Sequence, residues 1–246
     1  MALKQAKIIT VTSVKGGVGK TIFTLNLAGI LSSKKTKTLI IDMDLHAGCV
    51  GASLNLNLDK DFYNLISDIM NHQFKSFDDY IKCYDDYVDV LQAPKDPRNV
   101  AKIEIPYIDM VLKKLKYQYD VILIDTNHII DKLNLITFDN SDNIIYLLNH
   151  DLMGLKNMKT MLAIYEDMNL KKYTLVVNDA LNNSNVQSDD IADYLGEKIN
   201  YVIPKSFYVK NINKYLMNGK ILTLEKQFKK EKGYFVLEKI LDDILK

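Results

Sequence analysis

Seven short runs rich in Ile, Val, Leu and Tyr recur along the chain, at 7–13, 38–42, 87–91, 120–125, 143–148, 173–178 and 199–203. Longer stretches of helical period separate them, at 20–33, 61–70, 104–117, 151–168, 187–195, 206–218 and 234–245. That alternation is the pattern of strands joined by crossover helices, which builds a parallel sheet. Runs such as 121–124 and 144–148 are apolar at consecutive positions, so both faces of the sheet have to be covered. In the last helical stretch Leu237, Ile240, Leu241, Ile244 and Leu245 form one apolar stripe. There is no Pro- or Ser-rich linker, and Pro94, Pro97, Pro106 and Pro204 all fall at turns or helix starts. The expectation is one α/β domain over 1–246, a mostly parallel twisted sheet with helices on both faces.

Composition narrows the function classes. With 48% hydrophobic residues in 246, a sizeable core is within reach, and 32 basic against 31 acidic residues create no whole-chain field for nucleic acid or membrane. Cys49 and Cys83 are too few for a disulfide framework or a four-cysteine metal site. No apolar run approaches the roughly 18 residues of a spanning helix, and no signal-peptide pattern precedes the first strand. The expected location is a reducing cytoplasm. Arg98 is the single arginine, so cationic contacts elsewhere fall to lysine. Charge is uneven locally: 59–89 holds eight aspartates against three lysines, and 205–232 holds eight lysines against two glutamates. Both fit solvated helix faces; the lysine-rich stretch also suits an anionic surface, DNA or the inner face of a membrane.

The segment Lys15-Gly16-Gly17-Val18-Gly19-Lys20-Thr21 stands directly between the first strand and the first helix. Glycines there let backbone N–H groups turn inward around phosphates, and the helix beginning near Lys20 points its positive end at the same anion. Lys20 would neutralise β- and γ-oxygens, and Thr21 would offer a hydroxyl to Mg²⁺. Two further segments end strands in carboxylates: Asp42-Met43-Asp44, and the apolar run 121–124 followed by Asp125-Thr126. Such strand ends line the ligand crevice of open α/β sheets. Asp42 equally suits a carboxylate capping the next turn, and Asp125 a helix N-cap.

Lys-Gly-Gly-x-Gly-Lys-Thr, with Val14 where the common P-loop spacing places glycine, resembles the deviant Walker A sequence of the MinD/ParA family of P-loop ATPases over nearly the whole chain. The resemblance implies a P-loop NTPase fold, ATP or ADP with Mg²⁺, and an ATP-sandwich homodimer in which Lys15 reaches the phosphates of the other subunit. It makes Lys15, Lys20 and Asp44 the candidate catalytic residues, with Asp44 orienting the attacking water. Thr21 and Asp125 become the metal site, Asp125 through a water and Asp44 a further water-mediated contact. The implied nucleotide-binding set is 15–22, including Val18 and Ile22, with Asn178 at the adenine edge and Pro204 in the loop that packs the base. Three departures stand out. Asn127-His128-Ile129 replaces the usual Pro-x-Gly of switch II, Leu45-His46-Ala47-Gly48 replaces Pro-Gln-Gly, and no proline follows Gly219. Either hydrolysis is slow, or Asn127 and His128 take over the glycine's coupling; no catalytic role falls to His128 from the sequence.

Within the family, no cysteine lies near Asp125, which removes the iron–sulfur branch. The segments 89–97 and 151–157 resemble the CpaE/TadZ branch, which helps place Flp or Tad pili at the cell pole, although the receiver-like domain usual ahead of that ATPase is not present before the first strand. Septum-placing and flagellar-number relatives fit the same motifs. Acidic residues on the last helix disfavour a MinD-type membrane anchor. Three functions remain: a hydrolysing switch with an unknown protein partner, a nucleotide-bound scaffold or polar landmark that barely hydrolyses, and a ParA-like partitioning protein using the lysines of 205–232 on DNA.

Overall fold

The computed structural model describes residues 4–57, 59–182 and 184–246. In chain order its elements are β1 (Lys7–Thr12), α1 (Lys20–Ser33), β2 (Thr38–Met43), α2 (Val50–Ser53), α3 (Phe62–Met70), β3 (Lys82–Cys83), β4 (Val88–Leu91), α4 (Ile105–Leu115) and β5 (Val121–Thr126). They continue as α5 (Lys132–Asn140), β6 (Asn143–Leu148), α6 (Leu152–Asp167), β7 (Tyr173–Asn178), α7 (Ser188–Leu195), β8 (Tyr201–Ile203), α8 (Ile212–Met217) and α9 (Lys232–Ile244). One eight-stranded sheet runs β3-β4-β2-β5-β1-β6-β7-β8. Every pairing is parallel except β3 with β4.

Alternate side chains of each strand feed opposite faces, as the period of two requires. Ile9 and Val11 of β1, Leu123 of β5 and Ile145 of β6 pack with α1 and α9, whereas Ile8, Ile122 and Ile144 face the helices on the other side. Helix α1 is buried along almost its whole length because it lies between the sheet and α9. An all-round apolar helix is the sequence form that such a position demands.

The alternating pattern therefore carried over, with local corrections. The stretch 206–218 is not one helix: a 3-10 turn at Lys205–Phe207 precedes the short α8, and Tyr208 between them is extended. Phe207, Tyr208, Val209 and Ile212 are needed along one cleft, which a continuous helix could not line. Helix α5 lacks an apolar stripe and starts where Asp131 accepts from the Asn134 N–H. Strand β3 is an antiparallel edge of two residues, below any periodic signal. No described helix is long and apolar enough to cross a membrane.

Candidate nucleotide-binding site

The chain winds from β1 outward through β2 on one side and through β6 on the other. The crevice at the C-terminal ends of β1, β2 and β5 is thus the place where such sheets receive ligands. The phosphate loop leaves β1 there. Gly17 and Gly19 hold φ of 77° and 95°, values that side-chain-bearing residues rarely adopt. Gly19 then begins α1 with no side-chain cap, which leaves the first N–H groups of that helix free for an anion. Lys20 Nζ donates to Ser13 Oγ at 2.9 Å, and Ser13 donates to the Lys15 carbonyl at 2.6 Å, so the loop closes on its own lysine. Burial lowers the Lys20 pKa, and the Asp125 and Asp44 carboxylates pull it back up.

Asp42 and Asp125 are register partners on adjacent strands. Burial is the main cause that raises both; the Asp125 carboxylate pushes Asp42 up further, and the Asp44 carboxylate pushes Asp125 up. Asp125 is pushed up to about 6, while it accepts from Thr21 Oγ1 at 2.5 Å and Thr24 Oγ1 at 3.4 Å. A hydroxyl and a carboxylate set side by side at a helix start are a suitable pair of groups for a magnesium ion and its water. Asp42 is otherwise engaged: its oxygens accept from Val50 N at 2.9 Å and Asp44 N at 3.2 Å, which ties the loop after β2 to α2. Asp44, half-buried, accepts among the described residues only a weak bond from Ala47 N at 3.3 Å and keeps oxygens available. Of the two acids in the Asp-x-Asp segment, structure work falls to the first.

The raised Asp125 pKa makes the stability of the free protein depend on pH. Between 3.8 and about 6 the folded chain binds more protons than the unfolded one, so the nucleotide-free protein loses stability as pH rises through that window. Asp125→Asn is expected to raise its thermal midpoint by a few degrees near pH 7.5 and to leave it unchanged near pH 4. Differential scanning calorimetry at the two pH values checks this; an equal shift at both would sink it.

The second half of the crevice is apolar. A cleft between α1 and the segment 203–212 is lined by Ile22, Phe23, Ala180, Ile203, Phe207, Tyr208 and Val209. Asn178 stands at its rim, donating to the Val18 carbonyl at 3.0 Å, and its Oδ1 is buried without a partner among the described residues. An exocyclic amino group would satisfy that acceptor while the ring filled the cleft. Pro204 does not line the cleft; it begins the turn that carries Phe207 into it.

Lys15 points elsewhere. Its Nζ is 2.7 Å from Asp151 Oδ2, and Asp151 also caps α6 by accepting from Gly154 N at 3.0 Å. Next to it, buried His150 lies 2.8 Å from Asp179, joining the ends of β6 and β7. Burial lowers the His150 pKa, against the pull of Asp179. Neither pair was legible in the sequence, because each joins segments with no fixed spacing. Next to Asp151, Leu152 and Met153 are 65% and 60% exposed, and Ile129 and Ile130, which follow the His128 that lies beside Gly16, are 55% and 43% exposed.

A glycine loop, a lysine, a threonine and a carboxylate arranged at the switch point of a parallel sheet define a P-loop nucleotide-binding protein. Residues 9–242 match the family described as the CobQ/CobB/MinD/ParA nucleotide binding domain. The chain belongs to that family. It is 25% identical over 220 residues to the sporulation initiation inhibitor protein Soj of Bacillus subtilis, spanning 82% of this chain and 85% of Soj. Its fold matches a ParA family ATPase from Chlorobium tepidum with a TM-score of 0.82 at 21% identity, over 98% of this chain and 99% of that one. It matches the septum site-determining protein MinD complexed with Mg-ADP from Pyrococcus horikoshii with a TM-score of 0.78 at 22% identity, over 97% and 96% of the two chains.

Proposed function

We propose that the chain is an ATP-hydrolysing switch that closes as a homodimer and positions a cellular assembly through a protein partner. The observation that carries this reading is the surface around Lys15. A lysine in the phosphate loop has its side chain held by Asp151 rather than by its own loop, beside exposed Leu152 and Met153, while exposed Ile129 and Ile130 follow the His128 that lies against Gly16. Apolar exposure of that kind marks an association surface. In the roles assigned, Lys20, Val18 and Gly16 to Gly19 hold the phosphates, Ile22, Asn178 and the loop begun by Pro204 hold adenine, and Asp44 aligns water. Thr21 and Asp125 would hold Mg²⁺, which supplies charge neutralisation at the phosphates. Lys15 leaves Asp151 for the partner subunit's nucleotide, so that dimerisation reports ATP by mass action.

Mass in solution tests this directly. A dimer is expected with Mg-ATP, a monomer with Mg-ADP, and no dimer in Lys15→Ala; a mass indifferent to nucleotide would move the function to a static nucleotide-bound scaffold. The assembly served, by the likeness of 89–97 and 151–157 to the CpaE/TadZ branch, is a pilus system, with septum or flagellum placement as the neighbouring roles in the family. The location proposed is cytoplasmic, with recruitment to the membrane's inner face or a cell pole.

A second reading has its own observation. Lys205, Lys210, Lys214, Lys226, Lys230 and Lys232 are exposed, and none has a carboxylate partner among the described residues. The first of these lie on the segment that walls the base cleft. A ParA-like protein would present them to arbitrary duplex DNA when ATP is bound. Binding that falls steeply with salt and disappears when Lys205, Lys210, Lys214 and Lys220 become Gln is the expected signature. Unchanged binding would return the lysines to an ordinary solvated face.

A further inference from the structure

The loop that follows β5 carries Asn127-His128-Ile129 where the family resemblance implies Pro-x-Gly, and the structure shows what these residues build. Asn127, almost fully buried, accepts at Oδ1 from Ile129 N and from Asn134 Nδ2, both at 2.8 Å. Asn134, buried in the first turn of α5, donates also to the Ile129 carbonyl. Thr126 Oγ1 donates to the Val11 carbonyl of β1 at 3.1 Å. Two asparagines and a threonine thus pin the backbone of 126–129 where a glycine hinge would leave it free.

What the pinned loop presents is His128. A methyl group added to Gly16 would stand 3.5 Å from both Cε1 and Nδ1 of that ring, so the imidazole lies against the phosphate loop itself. Its side chain is exposed and has no hydrogen bond or ion pair among the described residues. The other cations near that end of the loop are engaged: Lys20 with Ser13 and Lys15 with Asp151. The single arginine, Arg98, is bonded to Asp96 in a separate turn. Gly16 opens the phosphate loop, five residues ahead of the Thr21 that bonds Asp125, and a loop that meets a terminal phosphate is ordered by it in nucleotide switches.

The geometry points to His128 as a direct ligand of the terminal phosphate of a bound nucleoside triphosphate, donating an imidazole N–H to it from the same chain. This rests on the nucleotide-binding reading above and adds to it a device that separates tri- from diphosphate. An N–H donor aimed at a phosphate oxygen forms a charge-assisted bond. A diphosphate has no oxygen at that position, so the contact forms in one nucleotide state only.

The test uses the full chain with Mg-AMPPNP and Mg-ADP as probes, measured by calorimetry for the parent, His128→Ala and His128→Gln, each also in the Lys15→Ala background that prevents dimerisation. His128→Ala is expected to weaken AMPPNP about tenfold and ADP less than twofold. His128→Gln, which keeps an N–H donor, recovers most of that loss. The same ratio persists with Lys15→Ala. With four histidines in the chain, the His128 Cε1–H resonance is separable and shifts with AMPPNP and not with ADP. Equal losses for both nucleotides, no loss for either, or a loss that vanishes in the Lys15→Ala background overturns the assignment while the nucleotide site stands. A parent chain that binds neither probe overturns both readings together.

Discussion

Lys20→Ala is expected to weaken Mg-ATP and Mg-ADP alike by at least about a hundredfold, the worth of a strong charge-assisted contact. The side chain is already committed to the loop in the free protein. Its Nζ is held by Ser13, which is held in turn by the Lys15 carbonyl, so little rotamer freedom is left to lose on binding. It is also the cation on which the Asp125 and Asp44 carboxylates act, both holding its charged form. Without it, an incoming triphosphate meets an uncompensated acidic crevice. Titration calorimetry reads the loss, and circular dichroism checks that the fold persists. An affinity within about threefold of the parent's would mean that the loop amides alone bind the phosphates.

Asp44→Ala separates binding from turnover. It is expected to leave ATP affinity within a few-fold, to lower phosphate release about 10²–10³-fold, and to lengthen the dimer's lifetime correspondingly. The contrast with Asp42 decides the choice. Asp42 spends both oxygens on backbone N–H groups and holds the turn into α2 in place. Asp44 sits two residues on, half-buried, with one weak bond and a carboxylate free to orient water. Phosphate release, and the decay of the dimer after ATP is removed, measure the two effects. If both stay at the parent's values, Asp44 is not the residue that aligns the attacking water.

Much of the site could be read locally. The phosphate loop is seven consecutive residues whose glycines and lysines have one common use, and the structure bends Gly17 and Gly19 as that use requires. Strand-end carboxylates were visible because each closes an apolar run. Asn178 stood out by its place after the sixth apolar run, where its Oδ1 is buried without a partner among the described residues. Less legible was the segment 205–218, where apolar residues at helical spacing serve a cleft instead of a helix. There the demand of one wall of a cavity outweighs local propensity.

The order of strands and helices, and the identity of the phosphate loop, were determined by the sequence itself, because period and spacing are properties of neighbouring residues. The backbone N–H groups that occupy both oxygens of Asp42, the pairing of Lys15 with Asp151, and the seat of His128 on Gly16 were decided only by the tertiary structure. Two of these unite residues from loops more than a hundred positions apart, which the parallel sheet brings to one edge. The third depends on which backbone N–H groups the folded turn aims at each carboxylate.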